Sequence, residues 1–326
     1  MRIGKITENA LKRSVLKLIK TEQRTKTSAA VGADCAFSES NRVFSAVSPM
    51  SLDIEDGAFY AVMKATNSLI SQGIKPDHVI IAIMLPEDAE EPYLKQIVRD
   101  GLKASALCGV TYAGGHTEVS KAVNRPIISA TCVGYEKFPG GEELYASKPR
   151  AGQELVISKW IGLEGTAMLA NEREDILKEK YPAPFIDGAK EFKQYLSVLD
   201  EMSVISMDKI SSIKDLSNGG VFAALWDMAS KAGCGIKVDL RKIPVRQETI
   251  EICEYFEINP YELLSGGALL IVTDDGKALV AELKKNGIPA AVVGKLCEGN
   301  DKVIYNLDES RFLDKPAADE ILKVLG

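Results

Sequence analysis

Two α/β halves in tandem, an α/β (α+β) protein of two similar-sized domains, is the fold class this sequence predicts. Short apolar runs of strand length alternate with stretches of helical periodicity along the whole chain, the pattern of layered helices and sheets. A break rich in Gly, Pro and charge, KFPGGEELYASKPRAG, divides that alternation near its middle. The 326 residues are long for one core and comfortable for two. The expected domains are residues 1–149 and 150–326. No short-period repeat runs through the chain, which excludes a solenoid.

In the first half, Thr7 is placed to cap a helix whose apolar positions Leu11, Val15, Leu18 and Ile19 share a face. The basic run LKRSVLKLIKTEQRTK reads as the solvated side of that helix. A polar stretch, TEQRTKTSAAVGADCAF, leads to a strand at RVFSAVSPM. DGAFYAVMKATNSLISQG has helical spacing and stops at Gly73, with Pro76 beyond. HVIIAIMLP is a buried-strand pattern ended by Pro86, and residues 91–108 form a second helix. Strands VTYAG and RPIISATCVGYE then flank GGHTEVS, which reads as a turn.

The second half opens with the strand GQELVISKW, the glycine-punctuated turn IGLEG and the helix TAMLANERE. DGAKEFKQYLSVLDEM is helical, and IKDLSNGGVFAALWDMASKAG is a loop feeding a helix with Val221, Leu225 and Met228 on one side. GIKVDL, GALLIVTDD and AAVVGKL are strands, with helices ETIEICEYF and GKALVAELKKNG between them.

Composition removes several function classes. A net charge of −6 argues against a nucleic-acid partner held by phosphate neutralisation. No apolar run approaches the roughly 20 residues that cross a bilayer, and MRIGKITENALKR lacks the apolar core of a signal peptide. The six cysteines, Cys35, Cys108, Cys132, Cys234, Cys253 and Cys297, form no C-x-x-C pair. They read as small buried hydrophobes in a reducing compartment, so a cytoplasmic protein is expected.

Three glycine-centred turns carry the functional reading. In the first, Gly114 and Gly115 allow a close backbone approach, and His116 behind them titrates near neutral pH. The second is IGLEGT, Ile161 to Thr166. The third is DLSNGGV, where Asp215, Ser217, Asn218, Gly219 and Gly220 precede a helix whose free amides attract phosphate or carboxylate. None is a Walker loop or a G-x-G-x-x-G fingerprint. Singly each is a capped turn; together they point to a nucleotide or anion cleft.

The order of VGADCAF, KATNSLISQGIKP, GGHTEVS, GLEGTAMLA, DLSNGGVFAALWDMA and LLSGGALLIVTDD resembles the aminoimidazole ribonucleotide (AIR) synthase-related, PurM-like superfamily. The run from DLSNGGV through KIPVRQETIEICEYFEINPYELLSGGALLI is most similar to its hydrogenase-maturation HypE branch. The resemblance implies a homodimer whose N-terminal domains pair into a β-barrel, with ATP in clefts beside it and a C-terminal α/β domain closing over them. It implies ATP-dependent activation of an amide or carbamoyl oxygen, or of a phosphate, on a small-molecule substrate or a maturation partner protein. It places Asp34, Asn67, Gly114, Gly115 and Thr117 against ATP, with Asp34 also a metal ligand. His116 and Glu118 fall at the chemistry, and Asp215, Ser217, Asn218, Gly219 and Gly220 against the substrate.

Departures from the family pattern are equally specific. Where the family carries a T-D step this chain reads AVSPMS; where it carries N-D-L, Ser68 replaces the acid; where it carries G-G-D-T or G-G-E-T, His116 stands. Magnesium prefers hard oxygen ligands, so a serine and an imidazole replace two aspartates poorly. His116 is then read first as a phosphate donor, with acid–base and structural roles as alternatives. The HypE branch ends in a cysteine tail, whereas this chain ends PAADEILKVLG and its last cysteine is Cys297, so tail chemistry is not expected. Two functions remain: an ATP-dependent enzyme, or a non-catalytic nucleotide- or metabolite-binding homodimer that has lost its metal site. A thiamine-phosphate or selenophosphate kinase is disfavoured, because both use the missing acids.

Overall fold

The computed structural model describes residues 7–22, 35–38, 42–140 and 148–326 of the chain. Its first helical segment is α1 (Glu8–Leu11), a π turn Lys12–Leu16 and α2 (Lys17–Glu22). Thr7 caps it as expected, its hydroxyl accepting from the Ala10 amide at 3.3 Å. The expected apolar face is not the buried one. The π turn shifts the side-chain register, so Leu16 is buried while Val15 and Leu18 are exposed.

Period-2 alternation builds the first sheet. Its elements are β1 (Ala36–Ser38), β2 (Val43–Met50), β3 (Ile74–Lys75), β4 (His78–Leu85), β5 (Thr111–Val119), β6 (Ile127–Gly134) and β7 (Glu136–Lys137). Five of them form a sheet in the order β1-β2-β6-β4-β5, antiparallel except for the β4–β5 pair, and β3 and β7 make a separate short ribbon. Phe44, Ala46 and Met50 on β2 and Val79, Ile81, Ile83 and Leu85 on β4 face inward. They meet α3 (Gly57–Ile70), which lies on β2 and β6, while α4 (Glu91–Leu107) packs on α3 and β5. On the opposite face Val47, Thr131 and Ile80 stand in one cross-strand row, with Val47 67% and Ile80 41% exposed.

GGHTEVS is not a turn. β5 passes straight through it, beside a register shift in which Val79 pairs with Tyr112 and Ile80 with Gly114, leaving Ala113 extra. Gly114 and Gly115 have φ of 144° and 158°. A Cβ on Gly115 would stand 1.8 Å from the Ile81 carbonyl oxygen, so β4 backbone fills the space a side chain would need. These glycines serve strand pairing past a bulge, which in sequence looks the same as a turn.

In the second half the elements are β8 (Glu154–Ser158), α5 (Leu163–Glu172), α6 (Glu174–Leu177), α7 (Ala183–Lys190), α8 (Leu199–Val204), β9 (Ile210–Asp215), α9 (Gly220–Ala232), β10 (Gly235–Asp239), α10 (Gln247–Tyr255), β11 (Leu269–Thr273), α11 (Gly276–Lys285), β12 (Ala290–Cys297), β13 (Lys302–Asn306), β14 (Glu309–Phe312) and α12 (Leu322–Leu325). The strands form one sheet, β14-β13-β10-β12-β8-β11-β9, in which only β10 and β13 run parallel. Leu155, Ile157, Leu270 and Val272 pack towards α9 on one face. Val156, Leu269 and Ile271 pack towards α8 and α11 on the other. Covering both faces explains why β8 and β11 read as continuous apolar runs rather than alternating ones.

α3 joins the halves. Twelve of its 14 residues are buried, so it has no solvent side. Its own sheet lies on one flank, and its core continues through Leu163, Ala167 and Leu169 of α5, Ile252 of α10 and Leu263. A polar seam accompanies this packing. Asn67 donates to the Leu196 carbonyl at 2.7 Å and accepts from the Val198 amide at 3.3 Å. Close by, Lys159 (φ 50°) donates to the carbonyls of Tyr195 at 2.8 Å and Ser197 at 2.6 Å, and pairs with buried Glu201 at 3.0 Å.

Candidate functional site

The sequence-predicted site residues divide into three groups. His116, Thr117 and Glu118 lie on β5, an exposed edge strand, and His116 Nε2 is 3.1 Å from Glu118 Oε2 with the imidazole 71% exposed. The two side chains touch, and both stand open to solvent. Asn67 is a different case. Its amide bonds the backbone at 196–198 at both ends, so it ties α3 to the second half. Asp34, read as the remaining family acid, lies outside the described residues.

The third turn also resolves differently from its sequence reading. Gly219 and Gly220 are left-handed, with φ of 80° and 62°, and α9 starts at Gly220. The Gly219 amide, however, donates at 2.6 Å to Asp319 from the C-terminal segment, the Gly220 amide to Ser217 and the Phe222 amide to the Tyr261 carbonyl. A carboxylate does sit at the helix start, as the dipole and free amides favour, but the chain supplies it. A Cβ on Gly220 would stand 2.5 Å from the Tyr261 carbonyl oxygen, so this glycine is needed for packing. Asp215 closes β9 and is buried, Ser217 is half-buried and Asn218 is exposed. IGLEGT behaves similarly: Gly162 donates to Ser265 Oγ at 2.8 Å, and a Cβ on Gly165 would reach 2.5 Å from Leu263.

What the fold does bring together is a polar cluster at the α3 junction. Tyr60 and Lys64, one turn apart on α3, face Glu164 of α5, Asn218 before α9, and Asp319. Lys64 Nζ donates to Asn218 Oδ1 across the two halves. Glu164 Oε2 accepts from the Gly266 amide at 3.2 Å. Its Oε1 and the Tyr60 hydroxyl are buried with no hydrogen-bond partner among the described residues. Burial pushes the Glu164 carboxyl up, Lys64 pulls it back, and Asp319 pushes it up further. Asp319 is likewise raised by burial, against the pull of the Gly219, Ile321 and Leu264 amides. Burial, with Asp56, Glu164 and Glu172 nearby, holds the Tyr60 hydroxyl well above the usual phenol range.

Sequence reading missed this cluster. Lys64 and Glu164 lie inside quoted motifs, KATN and GLEGT, but nothing local shows that they meet, and Asp319 carries no local signal. As to metal, no group of three or more His, Cys, Asp or Glu side chains able to hold an ion occurs among the described residues. Magnesium needs several converging oxygens, and Asp34, the acid the family resemblance assigns to it, lies outside the described residues. Two cavities of about 470 and 450 Å³ open elsewhere, one beside Arg150 and Asp274, the other beside Asp53 and Arg125.

Comparison with known proteins covers both halves. The profile of the AIR synthase related protein N-terminal domain matches residues 14–135, and that of the C-terminal domain residues 150–306. The carbamoyl dehydratase HypE of Rhodobacter capsulatus is 27% identical over 268 residues, which are 81% of this chain and 76% of that protein. The structure described as a HypE–HypF complex superposes with TM-score 0.72 at 21% identity, covering 93% of this chain and 100% of the other. HypE in complex with ATP superposes with TM-score 0.71 at 17% identity, covering 98% and 97%.

Proposed function

The chain belongs to the AIR synthase related family, and from that premise we propose that it is a HypE-like nucleotide-binding protein. It uses ATP to activate an amide, carbamoyl or phosphate-bearing group at a cleft completed by its dimer mate. The observation that carries this reading is the extent of the match: both family domains, and a fold shared with ATP-bound HypE over nearly the whole of each chain. Residues 1–149 and 150–326 are its two domains, and it acts with a small-molecule substrate or a maturation partner protein; a complex of HypE with HypF is among the structures it resembles. No helix among the described residues is long and apolar enough to cross a membrane.

A second reading, a binding protein without turnover, is favoured by Ser68 and His116, which stand where the family carries acids. One experiment separates the two: calorimetry with ATP, ADP and AMP, each with and without magnesium, followed by a phosphate-release assay. The enzyme reading expects ATP binding and phosphate release; binding without release supports the second, and no binding overturns both. If His116 moves protons in turnover, His116→Asn slows phosphate release about a hundredfold with ATP affinity near wild type. An unchanged rate removes it from the chemistry.

The homodimer reading draws support from the first sheet. Val47 and Ile80 in the Val47–Thr131–Ile80 row are apolar and exposed, and among the described residues β1 and β5 are the edges of that sheet. A dimer is expected by sedimentation at micromolar concentration. Val47→Lys combined with Ile80→Lys should convert it to a folded monomer, because two ammonium groups would have to be desolvated in the interface. A wild-type monomer overturns the pairing.

A further inference from the structure

Lys64 is a cation at the junction of the halves to which no function has so far been assigned. It is half-buried on α3, one helical turn before Ser68, and its ammonium is bonded to the neutral amide of exposed Asn218. Two buried acids lie behind it. Asp319 accepts from the amides of Gly219 at 2.6 Å, Ile321 at 3.0 Å and Leu264 at 3.2 Å, and Glu164 from Gly266 at 3.2 Å. Beside them, Glu164 Oε1 and the Tyr60 hydroxyl remain without partners among the described residues. Of the positions where the family resemblance places metal-binding acids, Asp34 lies outside the described residues, Ser68 is half-buried on α3 and His116 is exposed on β5. No metal-holding group occurs among the described residues.

We infer that this protein binds the polyphosphate of its nucleotide at Lys64 without a divalent cation, the ammonium supplying the positive charge. The inference rests on the nucleotide-binding reading above and departs from the family's use of magnesium. An ammonium on a flexible stem is a mobile point charge suited to phosphate. Its present acceptor is neutral and exposed, so a phosphate oxygen replacing Asn218 exchanges a neutral acceptor for a charged one. The acids behind have partners of their own: Asp319 accepts from three backbone amides and Glu164 from one, and neither forms a direct ion pair with Lys64 among the described residues. The Tyr60 hydroxyl, held protonated by burial, is a donor one turn away on the same helix.

The test is calorimetry of the full chain with ATP and with inorganic pyrophosphate, once in EDTA and once in excess magnesium. Wild-type affinity for both should agree within about threefold between the two buffers, and Lys64→Met should weaken it at least about tenfold in EDTA, as loss of a charge-assisted bond does. Lys64→Arg should keep most of it. Asn218→Asp, at an exposed site that tolerates change, should also weaken binding, because a fixed carboxylate then competes with phosphate for the ammonium. Binding that requires magnesium, or that survives Lys64→Met, overturns the inference and leaves the nucleotide reading standing. No binding of either probe in either buffer overturns both.

Discussion

Gly115→Ala should destabilise the protein by more than about 4 kcal/mol, whereas Gly114→Ala, one residue away, should cost about 1–2 kcal/mol. Both glycines have positive φ, so both substitutions strain the backbone. Only at Gly115 does the new methyl collide with main chain, 1.8 Å from the Ile81 carbonyl oxygen; at Gly114 nothing lies within 4 Å. Backbone cannot swing aside as a flexible side chain can, so β5 must leave β4 or the central strand must move. Urea unfolding of both variants reads the difference in midpoint. Equal midpoints would mean that β5 does not pass beside β4 in this register, and the reading of GGHTEVS as a turn would return.

The second large effect belongs to Lys159. Lys159→Ala should cost about 3–5 kcal/mol, because it strands a buried carboxylate. Glu201 is fully buried, and Lys159 and Ser158 both donate to its Oε1, while its Oε2 has no partner among the described residues. Burial already raises the Glu201 carboxyl, and Lys159 is the largest influence opposing that rise. The pH dependence follows from the sign. A carboxyl raised in the folded state holds its proton longer there than in the unfolded chain, so stability falls as pH rises from the unfolded value towards the folded one. Removing Lys159 raises the folded value further and widens that window upward. Lys159→Ala should thus lose more stability relative to wild type at pH 7 than at pH 4, and Lys159→Met with Glu201→Leu should recover most of it. A pH-independent difference would show that the loss is one of packing rather than charge.

The layered architecture was legible because burial writes itself into periodicity. Alternation marked β2, β4 and β6, and continuous apolar runs marked β8 and β11, each covered on two faces. Glycine was the least legible residue. Gly115, Gly165 and Gly220 look alike as turn formers, yet each is required because something else approaches it: a strand carbonyl, the Leu263 side chain, a loop carbonyl. The site was half legible. The DLSNGG stretch rightly marked a helix start that attracts a carboxylate, but Asp319 lies 100 positions away and leaves no local trace. The family resemblance implies that Asn67 contacts ATP, but its bonds to backbone atoms 129 and 131 positions further on leave no local trace. Lys64 and Glu164 were passed over for the same reason, since their chemistry exists only where the two halves meet.

The burial of α3 on all sides has a consequence for biosynthesis. The ribosome delivers α3 together with its own sheet, but the residues that close its second flank, from α5, α10 and Leu263, are translated later. Between those moments the nascent chain carries a helix with an uncovered apolar flank, the kind of surface that chaperones hold and that neighbouring chains aggregate through. Slow decoding between the halves should therefore lower the yield of native protein, even though the finished molecule is unaltered. Expression of residues 1–149 alone should leave the same flank permanently open.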